Sequence, residues 1–457
     1  MLKDARGLLT AATQSHAIEA FERAVVAFQT YQGDPLAPLE EATAADPGWA
    51  GAHIAKALIL MTFFERRFAR DATVALSAAR PLLAGAPERE RDLWAAADRL
   101  ARGDWHGGTA ALDRVLVDHP RDAIALQTAH VMDFFRGDAL NLRNRVARVL
   151  PHWSAGVPGF AYVLGMHAFG LEECNQYPEA EATGRRALEL AGDDSWAIHA
   201  VTHVMEMQGR VDEGIAWLEE RRPAWGAPGN GFAFHNAWHL ALFHLDREDH
   251  RAALALYDEW LAGAGAMAIS RVDATALLWR LMLEGVDVGA RAGAIAQAWE
   301  GDLDAEGGFY AFNDFHAALA LAQAGRTQGL ERLMAVVHRA ASAQDANGEM
   351  ERQVGLGACK AAIAFCDGHP RVAADLLAGI RDGASRFGGS HAQRDLLTLT
   401  LVEAATRGGQ GRLAAHYLAE RLVQRPGNRW GLRLLERARH AVPHAGGATA
   451  SRQLVSA

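Results

Sequence analysis

Apolar positions recur along this chain at helical spacing, in short blocks separated by polar breaks that carry Gly, Pro and Asp. From Tyr177, Pro178 opens a helix in which Ala180, Ala187, Leu188 and Leu190 fall at that spacing. Gly192-Asp193-Asp194-Ser195 interrupts it and supplies N-cap candidates. A second helix is expected from Trp196 to about Gln208, with Gly209 ending it. Glu213-Gly214 then repeats the place of Glu179-Ala180 in a new first helix, about 34 residues on, which is the tetratricopeptide period.

The same grammar returns elsewhere. Asp46-Pro47-Gly48-Trp49 precedes a helix through His53 and Leu58, and His119-Pro120-Arg121-Asp122 precedes one from Ala123 to Phe135. Arg247-Glu248-Asp249-His250 leads into Ala252-Ala253-Leu254, and Gly368-His369-Pro370 into Val372 to Ile380. Arg425-Pro426-Gly427-Asn428 separates Leu413–Leu422 from Trp430–Ala438. The pattern predicts an all-α fold without a sheet: tetratricopeptide-like helix pairs, wound into one curved superhelix (an α-solenoid) over residues 1–442. Spacing is uneven and the connections Arg222 to Ala233 and Ala262 to Ser270 are long, so divergent repeats are expected. Stacked pairs would bury a continuous core and leave a concave face for a ligand. Residues 443–457 are small and polar, and are expected to be a disordered tail.

Composition adds exclusions. A chain of 457 residues, 50% hydrophobic and 22% charged, is not disordered and is too long for one ordinary core. Net charge of -9 and the lack of a long Lys/Arg run argue against a nucleic-acid partner. No apolar run approaches the roughly 18 residues needed to span a bilayer, and the first residues do not read as a signal peptide. Three cysteines without CxxC spacing fit a reducing compartment, so a cytoplasmic location is expected. Cys359 and Cys366 read as buried apolar residues, and the acidic neighbours of Cys174 disfavour its thiolate.

Histidine placement is the unusual feature. His199, His203 and Glu206 stand at i, i+4 and i+7 on one predicted helix, and His235-Asn236-Ala237-Trp238-His239 sets two imidazoles one turn apart on another. A third segment reads Phe312-Asn313-Asp314-Phe315-His316. Imidazole and carboxylate suit zinc, iron and nickel, so a divalent metal such as zinc could be held by His199, His203, Glu206, His235 and His239. Two other readings stand beside it: a metal-free acid/base pocket, and a hydrogen-bonded network between packed helices. Neither pair is HExxH. Asp314 and His316 are too close in sequence to face each other, so Asp314 is expected to orient a histidine of a neighbouring helix. Ser390 with Gln393 reads as a capping box after Gly388-Gly389, not as a phosphate loop, while Arg394 remains available for a carboxylate. Trp196 and Trp238 flank the histidines and could wall a pocket.

At these residues the chain resembles the tetratricopeptide repeat protein 38 family. The strings that carry the likeness are Trp196-Ala197-Ile198-His199 with His203 and Glu206-Met207, His235 to His239, Trp279-Arg280-Leu281 with Glu284-Gly285, Phe312-Asn313-Asp314 with His316, and Gly388-Gly389-Ser390 with Ala392-Gln393-Arg394-Asp395. His130 and Val146-Ala147-Arg148 also fit, and the likeness spans nearly the whole chain; Cys174 and His391 depart from animal members. The resemblance implies the helical repeat fold and no particular reaction. The preferred function is a concave pocket that binds a small molecule or acts on it, as a hydrolase or transferase at an amide or ester, with or without the help of a metal. His203, His239, Glu206 and Asp314 are its candidate catalytic groups. His130, Trp196, His199, His235, Asn236, Trp238, Asn313, His316 and Arg394 are its candidate ligand-binding residues. The alternative is a non-enzymatic interaction scaffold that takes a peptide in its groove.

Overall fold

A computed structural model describes residues 1–263 and 267–440. Helix follows helix, and the two expected around position 190 span Tyr177–Leu190 and Ser195–Met207. The segments Ala123–Phe135, Pro370–Ile380, Gly411–Gln424 and Arg429–His440 are helical as the pattern required. Aspartates supply many of the starts: Asp104, Asp122, Asp138, Asp194 and Asp249 each accept a backbone N–H from the first turn of the following helix. Gly209, at φ 69°, takes the left-handed conformation that closes a helix and turns the chain back. The expected long connection from Arg222 contains a short helix, Arg222–Trp225. Residues 264–266 of the other connection, and the tail 443–457, lie outside the described residues.

The fold is all-α, with tetratricopeptide-like helix pairs in one curved superhelix. Outer and inner helices differ in burial. Thr327–Ala341 hides only Gly329, Leu333 and Val337, one row of an outer surface. Ser195–Met207 is buried at every position, and Ala123–Phe135 at every position but Phe134. A helix apolar on all sides must be covered on all sides, so these inner helices pack along the axis. Among the described residues only isolated bridges occur in place of strands, Lys3 with Leu9 and Gln32 with Asn230. No helix of the described residues is long and apolar enough to cross a membrane.

The concave side is not an open groove. The superhelix curls until distant turns touch: the Arg66 backbone N–H donates to Glu306 Oε2 at 2.6 Å, and Asn313 Nδ2 donates to the Phe64 carbonyl at 3.2 Å. Tyr310 donates its hydroxyl to the Phe135 carbonyl at 2.9 Å, and the His391 N–H reaches Glu173 Oε1 at 2.9 Å. One apolar core runs from Ala12 to Ala438. Inner helices gain roughly 25 cal/mol per Å² of apolar surface by covering one another, which fills the hollow that a straight array would leave open. Cavities remain between the helices.

Candidate metal centre

The expected histidines meet. Asp194 caps the 195–207 helix by accepting from the Trp196 and Ala197 N–H groups, and that helix presents His199, His203 and Glu206 inward. The next inner helix, Ala233–Asp246, presents His235 and His239. His199 and His235 are 36 positions apart, one repeat, so equivalent sites on neighbouring inner helices face each other. Ring centroids lie 4.8 Å apart for His199 and His235, and 4.4 Å for His203 and His239. All four are buried and each offers a nitrogen within 4.8 Å of the others'.

Carboxylates stand behind three of the four rings. His235 Nδ1 lies 2.6 Å from Asp273 Oδ2, and His239 Nδ1 lies 2.8 Å from Glu206 Oε2. His203 Nδ1 lies 3.6 Å from Glu172 Oε2. At hydrogen-bond distance, as for His235 and His239, a carboxylate on Nδ1 fixes the tautomer with its proton there and aims the Nε2 lone pair inward. Glu206 is held in turn by Arg425 Nη2 at 3.0 Å. Burial would raise the Glu206 carboxyl, but the His239 hydrogen bond and the Arg425 charge bring it well below the usual range. Burial, then the neighbouring imidazoles, pushes His199 and His203 well below the usual histidine range. His239 is lowered too, chiefly by burial. These imidazoles are neutral near pH 7, the form that binds metal.

Several polar atoms at the centre lack partners. His199 Nδ1, both nitrogens of His203, His239 Nε2 and both oxygens of Glu172 are buried with no hydrogen bond. Each such group costs about 1–3 kcal/mol when left unpaired. Zinc–nitrogen bonds of about 2.0–2.1 Å put tetrahedral nitrogen pairs about 3.3 Å apart. His199 Nε2 and His235 Nε2 are 3.1 Å apart. The donor set, its spacing and the carboxylates behind it all fit a divalent transition-metal ion.

His199 and His235 also form part of the wall of a cavity of about 330 Å³. Its remaining walls include Tyr31, Phe63, Phe134, Trp196, Phe232 and Phe234. Tyr31 stacks on Trp196 with centroids 5.4 Å apart, and Phe232 packs 5.0 Å from His199 and 4.9 Å from His235.

Other candidates lie elsewhere. Trp238 does not line this cavity; it is buried, stacked on His235, with the Arg280 guanidinium over it at 5.3 Å. Asn236 is buried beside Ser195, with its carbonyl oxygen unpaired. His130 donates from Nδ1 to the Leu142 carbonyl at 3.2 Å and contacts Trp196 by its ring edge. Asp314, Asn313 and His316 sit on Ala311–Gln323, apart from the four histidines. Asp314 accepts the Gly308 N–H and pairs with Glu351, so it orients none of the four; Asp273, Glu206 and Glu172 fill that place. His316 binds the Phe312 carbonyl of its own helix. Arg394 reaches Glu173 and the Gly389 carbonyl, so its guanidinium is spent on the protein. Ser390 and Gln393 form the expected capping box. Cys359 is buried, whereas Cys366, expected inside, is exposed near its helix end. Burial, followed by acidic neighbours opposed by Arg143, raises the Cys174 thiol.

Asp273, Glu172, Phe232 and Arg425 were not anticipated. Asp273 had a signal: it is a lone carboxylate in the run Val272 to Leu278, which needs a buried partner, and it lies 38 positions from His235.

No family model matches this chain. Among solved structures it is similar to human IFIT1, captured as a dimer with m7Gppp-AAAA, at 12% identity over 86% of this chain and 90% of that one, with a TM-score of 0.43. It is also similar to the P58(IPK) TPR domain, at 12% identity over 78% of this chain and 98% of that one, with a TM-score of 0.23. Overlaps this loose carry no argument about what the present chain binds.

Proposed function

We propose that this chain holds one divalent transition-metal ion on His199, His203, His235 and His239, and that the ion acts on a small molecule in the adjoining cavity. The observation that carries this is the buried four-histidine cluster, one nitrogen of each within 4.8 Å of the others', with unpaired nitrogens on His199, His203 and His239. Asp273, Glu206 and Glu172 would serve as partners to the ligand histidines and not as ligands, which reassigns Glu206 from the ligand set.

Four neutral imidazoles leave the ion its full double charge in a dry interior, so it would polarise a carbonyl or lower the pKa of a bound water strongly. That is the chemistry of hydrolysis or transfer at an amide or ester. A four-coordinate zinc ion would be saturated by this set, whereas an ion accepting five or six ligands keeps positions open. Iron and nickel, which imidazole also suits, are therefore favoured over zinc. The side on which His199 and His235 meet the cavity is where those positions would be used.

The test is elemental analysis of untagged protein, since a polyhistidine tag would bind metal by itself. After loading with Fe²⁺, Ni²⁺ or Zn²⁺ and desalting, the natural sequence should retain about one equivalent, and His203→Ala with His239→Ala should retain almost none. Failure to retain any of these ions would end the metal reading and leave a polar network between helices.

A further inference from the structure

The cavity also tells what kind of molecule it takes. Asp34 is the one carboxylate among its lining residues, and it is exposed at the rim. No Lys or Arg lines it, so an anionic group carried on the ring body, away from the His199–His235 face, would enter an apolar chamber without a counter-charge, at a cost of several kcal/mol.

Of the polar side chains on the wall, Thr62 and Gln393 are already engaged, while the Trp196 indole N–H and His199 Nδ1 have no partner. Thr62 donates its hydroxyl to the Ile59 carbonyl. Gln393 accepts the Ser390 N–H through Oε1, and its amide nitrogen faces Asp273 Oδ1 at 3.4 Å. What remains is a ring-lined chamber, and at its inner end the His199–His235 face of the centre. Ring faces and edges at Tyr31, Trp196 and Phe232 suit a flat apolar body.

We infer that the cavity binds a predominantly apolar, ring-bearing small molecule with no charge on its ring body, oriented so that its one polar functional group meets the metal centre. The volume is in the range of ordinary small-molecule pockets. The orientation of the polar group rests on the metal reading above, but the choice of an uncharged apolar body does not.

Two dyes with nearly the same aromatic body separate the possibilities. N-phenyl-1-naphthylamine is neutral, and 1-anilinonaphthalene-8-sulfonate adds a sulfonate. Fluorescence titration should show the neutral dye binding one per chain and the sulfonate at least about tenfold more weakly. Ala27→Phe, at a half-buried wall position, should weaken the neutral dye at least about tenfold by filling the chamber, and Val131→Trp should do the same from the buried side. Ala27→Phe keeps the experiment decisive if the more buried change fails to fold. Equal binding of the two dyes, or neutral-dye binding indifferent to Ala27→Phe, would overturn the inference. Neutral-dye binding should survive His203→Ala, so loss of the metal and loss of the cavity are told apart. In cobalt(II)-loaded protein, 4-phenylimidazole should shift the visible absorption band, and Ala27→Phe should suppress the shift. Tight binding with no shift would remove the orientation.

Discussion

Asp273 touches no ligand, yet the orientation of His235 depends on it, because its oxygen 2.6 Å from Nδ1 decides which nitrogen keeps the proton. Asp273→Asn preserves size but removes the charge behind the ring. It should weaken metal binding about 10–100-fold, with little loss of helix content, measured by competition against a chromophoric chelator. A different buried carboxyl sets a pH dependence. Glu351, pressed against Asp314 and close to Cys359, is pushed up to about 10, first by burial and then by the Asp314 charge; burial likewise raises Asp314 to about 6. Folding therefore keeps a proton on Glu351 that the unfolded chain releases near its ordinary value of 4.5. This contribution is complete below that value and fades as pH rises toward about 10. Urea midpoints of the natural sequence should fall across that window, and Glu351→Gln should flatten the fall. A parallel decline in the variant would show that the slope comes from elsewhere.

At the scale of single elements, the clearest agreement between pattern and structure is the start of His391–Arg407. Ser390 accepts the Gln393 N–H at 3.2 Å and Gln393 Oε1 accepts the Ser390 N–H at 3.1 Å. The same Gln393 lines the cavity and faces Asp273, so a helix cap doubles as a wall of the site. Ser390→Ala should cost about 1 kcal/mol in urea unfolding, as loss of an N-cap does. The inner helices also explain why periodicity was a weak guide to their packing. An outer helix such as Thr327–Ala341 shows which side is buried, but Ser195–Met207 is buried all round, so its pattern names no single neighbour.

For the whole molecule, curling changes how it should unfold. In a straight array each repeat touches only its neighbours, and stability is close to a sum along one dimension. Here Arg66 meets Glu306, Tyr310 meets Phe135, and Trp279 donates to Thr400 Oγ1 at 2.9 Å, across separations far longer than one repeat. Opening one region exposes its distant partners. Tryptophan fluorescence and far-UV circular dichroism should therefore report one coincident urea transition, and separated transitions would show that the cross-contacts do not couple the repeats.

The chain by itself determined the all-α repeat architecture, because helical spacing, aspartate caps and closing glycines are local signals that neighbouring residues read out directly. It also placed His199 and His203 on one face, whereas the tertiary structure set His235 and His239, 36 positions on, opposite them. Tertiary structure alone decided that Asp273, Glu206 and Glu172 stand behind the rings while Asp314 pairs with Glu351, since equal spacing in sequence does not say which inner helix lies across the axis. It decided as well that the concave side holds a ring-lined chamber with an exposed rim at Asp34, because the final curvature follows from summed packing of many helix contacts that no local pattern encodes.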